Sequence, residues 1–185
     1  MKTKRSLFQR IAPTLLLVLS MVLTQNCTVD VPPEDPNPPT FSFRIIGDGF
    51  DHTFTQDTNF NNITLMLRMG VTYQFTFYGN DDGGMDYMNW VAVHTGSMTV
   101  DPNLHGEWNF NDSGGATVLE WYGSPSDPVS GSIIGGTFTT QGDVTSNGTF
   151  GFTLRDYGGE SGRSNRVDVQ LPVFFGAHNT RIRED

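Results

Sequence analysis

One turn of the sequence brings three carboxylates together, Asn80-Asp81-Asp82-Gly83-Gly84-Met85-Asp86. Proteins bind calcium through several oxygen ligands, carboxylates above all, and glycines let a loop wrap around the ion. A second acidic turn follows later in the chain, and the two turns can share one cation if they lie at the same end of the fold. The spacing differs from the EF-hand pattern, and the alternative is a pair of solvated acidic turns. The predicted calcium ligands are Asp81, Asp82, Asp86, Asp156 and Glu160.

Aromatic side chains offer a different chemistry, the stacking of a sugar ring. An aromatic face suits the apolar side of a pyranose, and neighbouring carboxylates and amides can bind its hydroxyls. Trp108 lies in a stretch that reads mostly as loop, whereas Trp90 lies within a predicted strand and favours the core. Trp121 and Tyr122 end another strand next to a loop. Trp108, Trp121 and Tyr122 are therefore the candidate ligand-binding residues, with packing in or at the rim of the core as the alternative.

Motifs for covalent catalysis and for zinc do not occur in the sequence. The four histidines are scattered without the spacing of a metal site, and the chain contains no Gly-x-Ser-x-Gly elbow. We therefore expect the chain not to be an enzyme. The alternative that stays open is a hydrolase with an acidic site, because two carboxylates ~5–9 Å apart can be assembled only by the fold.

The N-terminal segment contains the one cysteine of the chain, Cys27. Basic residues come first, then an apolar stretch of 13 residues from Ile11 to Leu23, which is shorter than the ~20 residues that span a bilayer. This layout resembles bacterial lipoprotein signals, in which the cysteine becomes the first mature residue and carries the lipid. The resemblance implies a membrane anchor at Cys27 and explains a cysteine that has no disulfide partner. The alternative is ordinary secretion with a free thiol.

A proline-rich stretch follows the cysteine, with five prolines between Thr28 and Pro39. Proline at this density excludes helix and sheet and keeps a segment extended, so the stretch reads as a tether. Its acidic residues resemble the surface-export signals of Bacteroidota lipoproteins, which implies the outer membrane or the cell surface, with a periplasm-facing domain as the alternative. The predicted divisions are a signal peptide (1–26), the anchor and tether (27–39), a sandwich domain (40–175) and a polar, frayed tail (176–185).

The part of the chain that follows the signal is strongly acidic. It carries seven basic residues, all arginine, against all 20 acidic residues, which gives a net charge of −13. Such a surface repels nucleic acid and anionic lipid. The expected partners are instead the membrane through the lipid anchor, and a polysaccharide or another surface protein.

Alternation of apolar and polar residues dominates the sequence after the tether, and no window shows a sustained helical period. Tyr73, Phe75 and Phe77 define one face of a strand, and Phe150, Phe152 and Leu154 define another. Turn signals rich in Gly, Asn and Asp separate the strands. About nine or ten strands are predicted, in an all-β, immunoglobulin-like antiparallel sandwich. They cover residues 40–46, 52–56, 63–69, 73–77, 86–94, 97–100, 117–122, 132–140, 149–155 and 167–173.

Two strand–turn–strand units of the chain look alike, and both resemble immunoglobulin-like modules of bacterial surface proteins such as PKD domains. The resemblance implies the sandwich architecture and a role in adhesion, spacing or ligand binding. The Gly-Asp-Gly signature of PKD domains is missing after the tryptophan. The matching residues are Tyr73, Phe75, Asp82, Gly83, Tyr87 and Trp90 in the first unit, and Gly148, Thr149, Phe150, Phe152, Leu154, Asp156, Gly158, Val167 and Val169 in the second.

Three functions are compatible with these observations. The first is a membrane-anchored, non-catalytic sandwich with a structural or protein-binding role. The second is a carbohydrate-binding surface lipoprotein, and the third is a hydrolase with an acidic site.

Overall fold

The structure is a computed structural model that describes residues 35–142, 145–158 and 163–184. The predicted signal peptide, Cys27 and most of the tether lie outside these residues. Within them, no helix has the length and apolarity needed to cross a membrane. The described elements are β1 Thr40–Gly47, β2 Phe50–Thr55, a 3-10 turn Phe60–Asn62, β3 Ile63–Arg68, β4 Thr72–Asn80, β5 Met85–Val93, β6 Met98–Pro102, β7 Trp108–Asp112, β8 Ala116–Tyr122, β9 Gly131–Thr140, β10 Ser146–Asp156, β11 Arg166–Gly176 and β12 Arg181–Glu184.

The strands form two sheets, which confirms the predicted all-β sandwich. The first sheet has five strands in the order β2-β1-β4-β9-β6, and all neighbours are antiparallel. The second has seven in the order β12-β3-β11-β10-β5-β8-β7. One of its pairs, β3 with β11, is parallel, with Leu65 opposite Val173. This pair departs from the antiparallel expectation. Side chains alternate in the same way in parallel and antiparallel strands, so the sequence pattern of β3 and β11 does not specify the direction of their pairing.

Two strands, β7 and β12, are not predicted by the sequence pattern, and they bring the number of described strands to twelve. Strand β7 was expected to be loop, because only Trp108 and Phe110 interrupt a run of Asn, Asp and Gly that favours turns. Strand β12 falls in the expected frayed tail, yet Arg181–Glu184 pairs with β3 at the edge of the sheet. Charged residues are common on edge strands because they discourage further pairing. Both strands form because a neighbouring strand pairs with them through backbone hydrogen bonds, β8 with β7 and β3 with β12.

The core between the sheets is predominantly aromatic. Phe43 of the first sheet contacts Trp90 and Phe152 of the second, at ring-centroid distances of 5.0 and 4.8 Å. Phe75 lies 4.8 Å from Trp90. These residues are at most 2% exposed, so the inward faces predicted for β4 and β10 are confirmed. These contacts hold the two sheets together, and the side chains that alternate with the buried rings face outward.

Candidate functional site

The outer face of the seven-stranded sheet is the most distinctive surface of the described domain. Side chains alternate along a strand, so the residues of β5, β10 and β11 that do not enter the core stand in rows across this face. The strand registers place Gly151 of β10 between Val91 of β5 and Gln170 of β11. The flanking rows are Asn89–Thr153–Asp168 and Val93–Thr149–Pro172.

A groove of about 730 Å³ runs over the middle of these rows. Its floor is open at Gly151, where an added Cβ would have only the carbonyl oxygen of Val91 as a near neighbour, at 3.8 Å. On one side the wall is formed by the segment from Gln56 to Asn61, which leads through the 3-10 turn into β3. This volume falls within the range of small-molecule sites, ~300–1,000 Å³. We call this feature the Gly151 groove.

The lining of the Gly151 groove is polar but almost uncharged. Eight of its fifteen lining residues carry a carboxamide or a hydroxyl group, and Asp168 is the one charged residue among them. Asn89 is 6% exposed and donates its Nδ2 to the Leu119 carbonyl oxygen at 3.4 Å. The remaining side chains are apolar, with Val91 and Val93 on β5 and Val169 on β11. The groove can therefore form hydrogen bonds with a ligand and at the same time bury an apolar surface of that ligand.

The carboxylate of Asp168 is fixed by hydrogen bonds, and an arginine balances its charge. It accepts a hydrogen bond from Thr153 Oγ1 at 2.7 Å and another from Arg166 Nη2 at 2.9 Å. The hydrogen bond from Arg166 lowers the pKa of Asp168, which therefore stays ionised beside its counter-charge. The groove thus carries little net charge on a chain that is otherwise acidic.

One end of the same face carries two tyrosines and an arginine. Tyr87 lies between Tyr122 and Arg155 in the ladder; its ring is 5.0 Å from that of Tyr122, and the Arg155 guanidinium carbon lies 5.7 Å from its centroid. The Tyr87 hydroxyl donates to Glu120 Oε1 at 2.8 Å, and burial is the main reason why the pKa of Tyr87 is raised. Tyr122 is 47% exposed and stays a candidate ligand-binding residue.

The expected sugar platform of Trp108 and Trp121 is contradicted by the structure. The two tryptophans are cross-strand partners on the inward side of β7 and β8, and they are 6% and 7% exposed. Trp108 donates its Nε1 to Ser132 Oγ at 3.0 Å and packs edge-on against Phe77. Because β7 is a strand and not a loop, alternation turns Trp108 toward the core.

The two acidic turns do lie at the same end of the sandwich. The Tyr157 amide donates to the Gly84 carbonyl oxygen at 2.9 Å, which joins the turns directly. Asp81 is 5% exposed and accepts from the Gly83 amide at 2.8 Å. Burial, together with the nearby charge of Asp156, raises the pKa of Asp81 to about 6.

The other acids of these turns are engaged elsewhere. Asp156 accepts hydrogen bonds from both the amide and the side chain of Asn165, at 2.5 and 2.7 Å, and Asp86 pairs with Arg155 at 2.5 Å. Asp82 is exposed, and Glu160 lies outside the described residues. In the described part of the chain, no three His, Cys, Asp or Glu side chains are arranged to hold a metal ion. Of the five proposed ligands, the fold brings Asp81 and Asp156 together, and calcium binding stays a prediction.

The groove residues were missed at the level of sequence. Thr149, Gly151 and Thr153 alternate with the phenylalanines of β10 and so were recognisable as outward-facing. Nothing in the sequence showed that Asn89 and Gln170 would stand beside them, since that depends on strand order and register.

Comparisons with known proteins reveal no close relative. No protein-family model matches the chain, and no curated protein matches it. A non-cellulosomal cohesin from the archaeon Archaeoglobus fulgidus is 12% identical with a TM-score of 0.39, over 62% of this chain and 91% of the cohesin. The collagen-binding subdomain ACE19 of the Enterococcus faecalis surface protein ACE is 11% identical with a TM-score of 0.31, over 63% and 97%. Likenesses at this level say nothing about what this chain binds.

Proposed function

We propose that the chain is a non-catalytic binding module of the cell envelope, and that its ligand binds on the outer face of the seven-stranded sheet. The observation that carries this proposal is the Gly151 groove. A purely structural spacer needs no cleft of about 730 Å³ lined by carboxamides and hydroxyls. A binding site of this kind presents convergent polar groups around an apolar surface.

The groove lining supports binding more than catalysis. Acid–base hydrolysis requires two carboxylates facing each other across the substrate. The described lining contains one, Asp168, and its charge is paired with Arg166. Histidine and cysteine do not occur among these lining residues.

We further propose that a lipid on Cys27 anchors the module to the outer membrane or the cell surface. The support is the order of the segments in the sequence: basic residues, 13 apolar residues, a lone cysteine and a proline-rich tether. A tether of this composition stays extended and would carry the domain away from the bilayer.

The anchor is tested by fractionating cells that produce the full chain or its Cys27→Ser variant. The full chain is expected in the membrane fraction and the variant in the soluble fraction. Continued membrane association of the variant would refute the anchor and leave the binding proposal untouched.

The binding face is tested with the full chain, solubilised in detergent and immobilised, as a capture reagent for labelled cell-envelope fragments. Gly151→Val fills the groove floor, and Gly135→Val is the matched control on the outer face of the five-stranded sheet. A Cβ at position 135 meets the Phe75 carbonyl oxygen at 3.3 Å, closer than the nearest contact at 151, so the control is the harsher substitution. Capture should fall at least tenfold for Gly151→Val alone. Equal capture by all three proteins, or none by any, contradicts the proposal.

A further inference from the structure

We infer that the ligand of the Gly151 groove is a neutral saccharide. This inference rests on the proposed function, since it names the chemical class of the ligand for the same face. Its support comes from the charge, the hydrogen-bonding groups and the apolar surface of the groove.

The charge of the chain and of the groove disfavours ionic ligands. After Cys27 the chain has a net charge of −13, and a surface of that sign repels polyanions such as uronate-rich polymers and nucleic acid. A cationic ligand would call for free carboxylates, but Asp168 is the one carboxylate among the described lining residues, and Arg166 and Thr153 already hold it. An uncharged ligand is the one that this lining accommodates without an uncompensated charge.

The hydrogen-bonding groups match a ligand rich in hydroxyls. A carboxamide offers both donors and an acceptor, and a threonine hydroxyl offers both from one atom. A sugar hydroxyl has the same dual character, so the exposed Gln170 and the half-buried Thr149 can each serve it in either direction. Lining residues of this kind also include Asn59 and Asn61 on the opposite wall, so donors and acceptors face the groove from two sides.

The floor of the groove disfavours an extended peptide. Peptides that bind to sheets add a strand at a free edge through main-chain hydrogen bonds. Strand β10 is paired on both sides, with β5 and with β11, and β5 is paired with β8 as well. The backbone beneath the groove is therefore committed, and a ligand must be held through side chains.

The apolar surface completes the match. Val91 and Val93 lie on one strand beside Gly151, and Val93 is 44% exposed. The missing side chain at Gly151 leaves a shallow trough in which a pyranose ring can rest its apolar face on the valines. The groove crosses three strands, or about 10 Å at the usual strand spacing of ~4.8 Å, which suits a short oligosaccharide.

The test uses the full chain in detergent, titrated with soluble neutral polysaccharides: mannan, galactan, mixed-linkage β-glucan and arabinoxylan. Polygalacturonate is the anionic comparison. At least one neutral polysaccharide should bind, with affinity reduced tenfold or more by Gly151→Val and by the isosteric Thr149→Val, and unchanged by Gly135→Val. Thermal melting of each variant confirms that it is folded.

Two results would overturn the inference: no binding to any neutral polysaccharide, or binding that Gly151→Val leaves intact. Binding to polygalacturonate alone would also overturn it, because the charge argument would then be wrong. Failure of the inference is distinguishable from failure of the proposed function. If envelope capture still depends on the groove but the captured material is destroyed by protease and not by periodate, the binding face stands and its ligand is a protein.

Discussion

Asp81 is predicted to lower the stability of the folded domain at neutral pH. Asp81 is 5% exposed and lies near Asp156 at the junction of the two acidic turns. Burial and the neighbouring charges raise its pKa from 3.8 to about 6. Replacing Asp81 by Asn removes the charge and keeps an oxygen that can accept the hydrogen bond from the Gly83 amide.

Proton linkage determines whether ionisation of Asp81 raises or lowers the free energy of unfolding. Because the folded-state pKa is the higher one, the folded state binds more protons than the unfolded state between about pH 4 and about pH 6. The free energy of unfolding therefore falls as pH rises through this window and stays reduced above it. Raising the pKa of Asp81 from 3.8 to about 6 corresponds to about 3 kcal/mol, since each pKa unit is worth about 1.36 kcal/mol. Asp81 belongs to a surface turn beside the exposed Asp82, so we discount this to about 1–2 kcal/mol for solvent screening.

The assay is urea unfolding of the full chain and of Asp81→Asn at about pH 4 and about pH 8. The variant should match the parent at the lower pH and exceed it by about 1–2 kcal/mol at the higher pH. Asp82→Asn is the matched control, since an exposed carboxylate in the same turn should change stability by less than about 0.5 kcal/mol. A variant that gains nothing at the higher pH refutes the argument. A variant that loses stability there only when calcium is present would instead show that Asp81 binds the cation.

Further predictions concern the remaining buried groups. His94 is 1% exposed, with Nε2 3.1 Å from Thr117 Oγ1, and burial lowers its pKa. At acidic pH the unfolded chain therefore binds a proton that the folded chain does not. The free energy of unfolding should fall as pH drops below about 6.5. His94→Gln should remove that part of the acid sensitivity in urea unfolding, and an unchanged pH profile would contradict the burial argument. Phe152→Ala and Phe75→Ala should each cost about 3–5 kcal/mol in the same assay, because both side chains are at most 2% exposed in the aromatic core. Losses below about 1 kcal/mol at both positions would mean that these rings are not packed between the sheets.

Most of the strands were predictable because a strand has a period of two. The alternation Tyr73-Gln-Phe75-Thr-Phe77 requires one buried face, and the structure places these aromatic residues in the core. The same reasoning failed at β7 and β12, where few apolar residues alternate and pairing with a neighbouring strand decides the conformation. It failed again at Trp108, since a residue assigned to a loop has no inward or outward side.

The candidate site depends on strand order and register, which no local sequence pattern specifies. The sequence by itself determined the fold class, the acidic character of the chain and the outward direction of Gly151, since these follow from composition and from alternation within single segments. Only the tertiary structure brought Val91, Gly151 and Gln170 into one row, because the register between strands some 20 to 60 residues apart is selected by the packing of all the core side chains together. The same packing turned Trp108 and Trp121 inward and left the neutral groove, rather than the aromatic platform, facing a ligand.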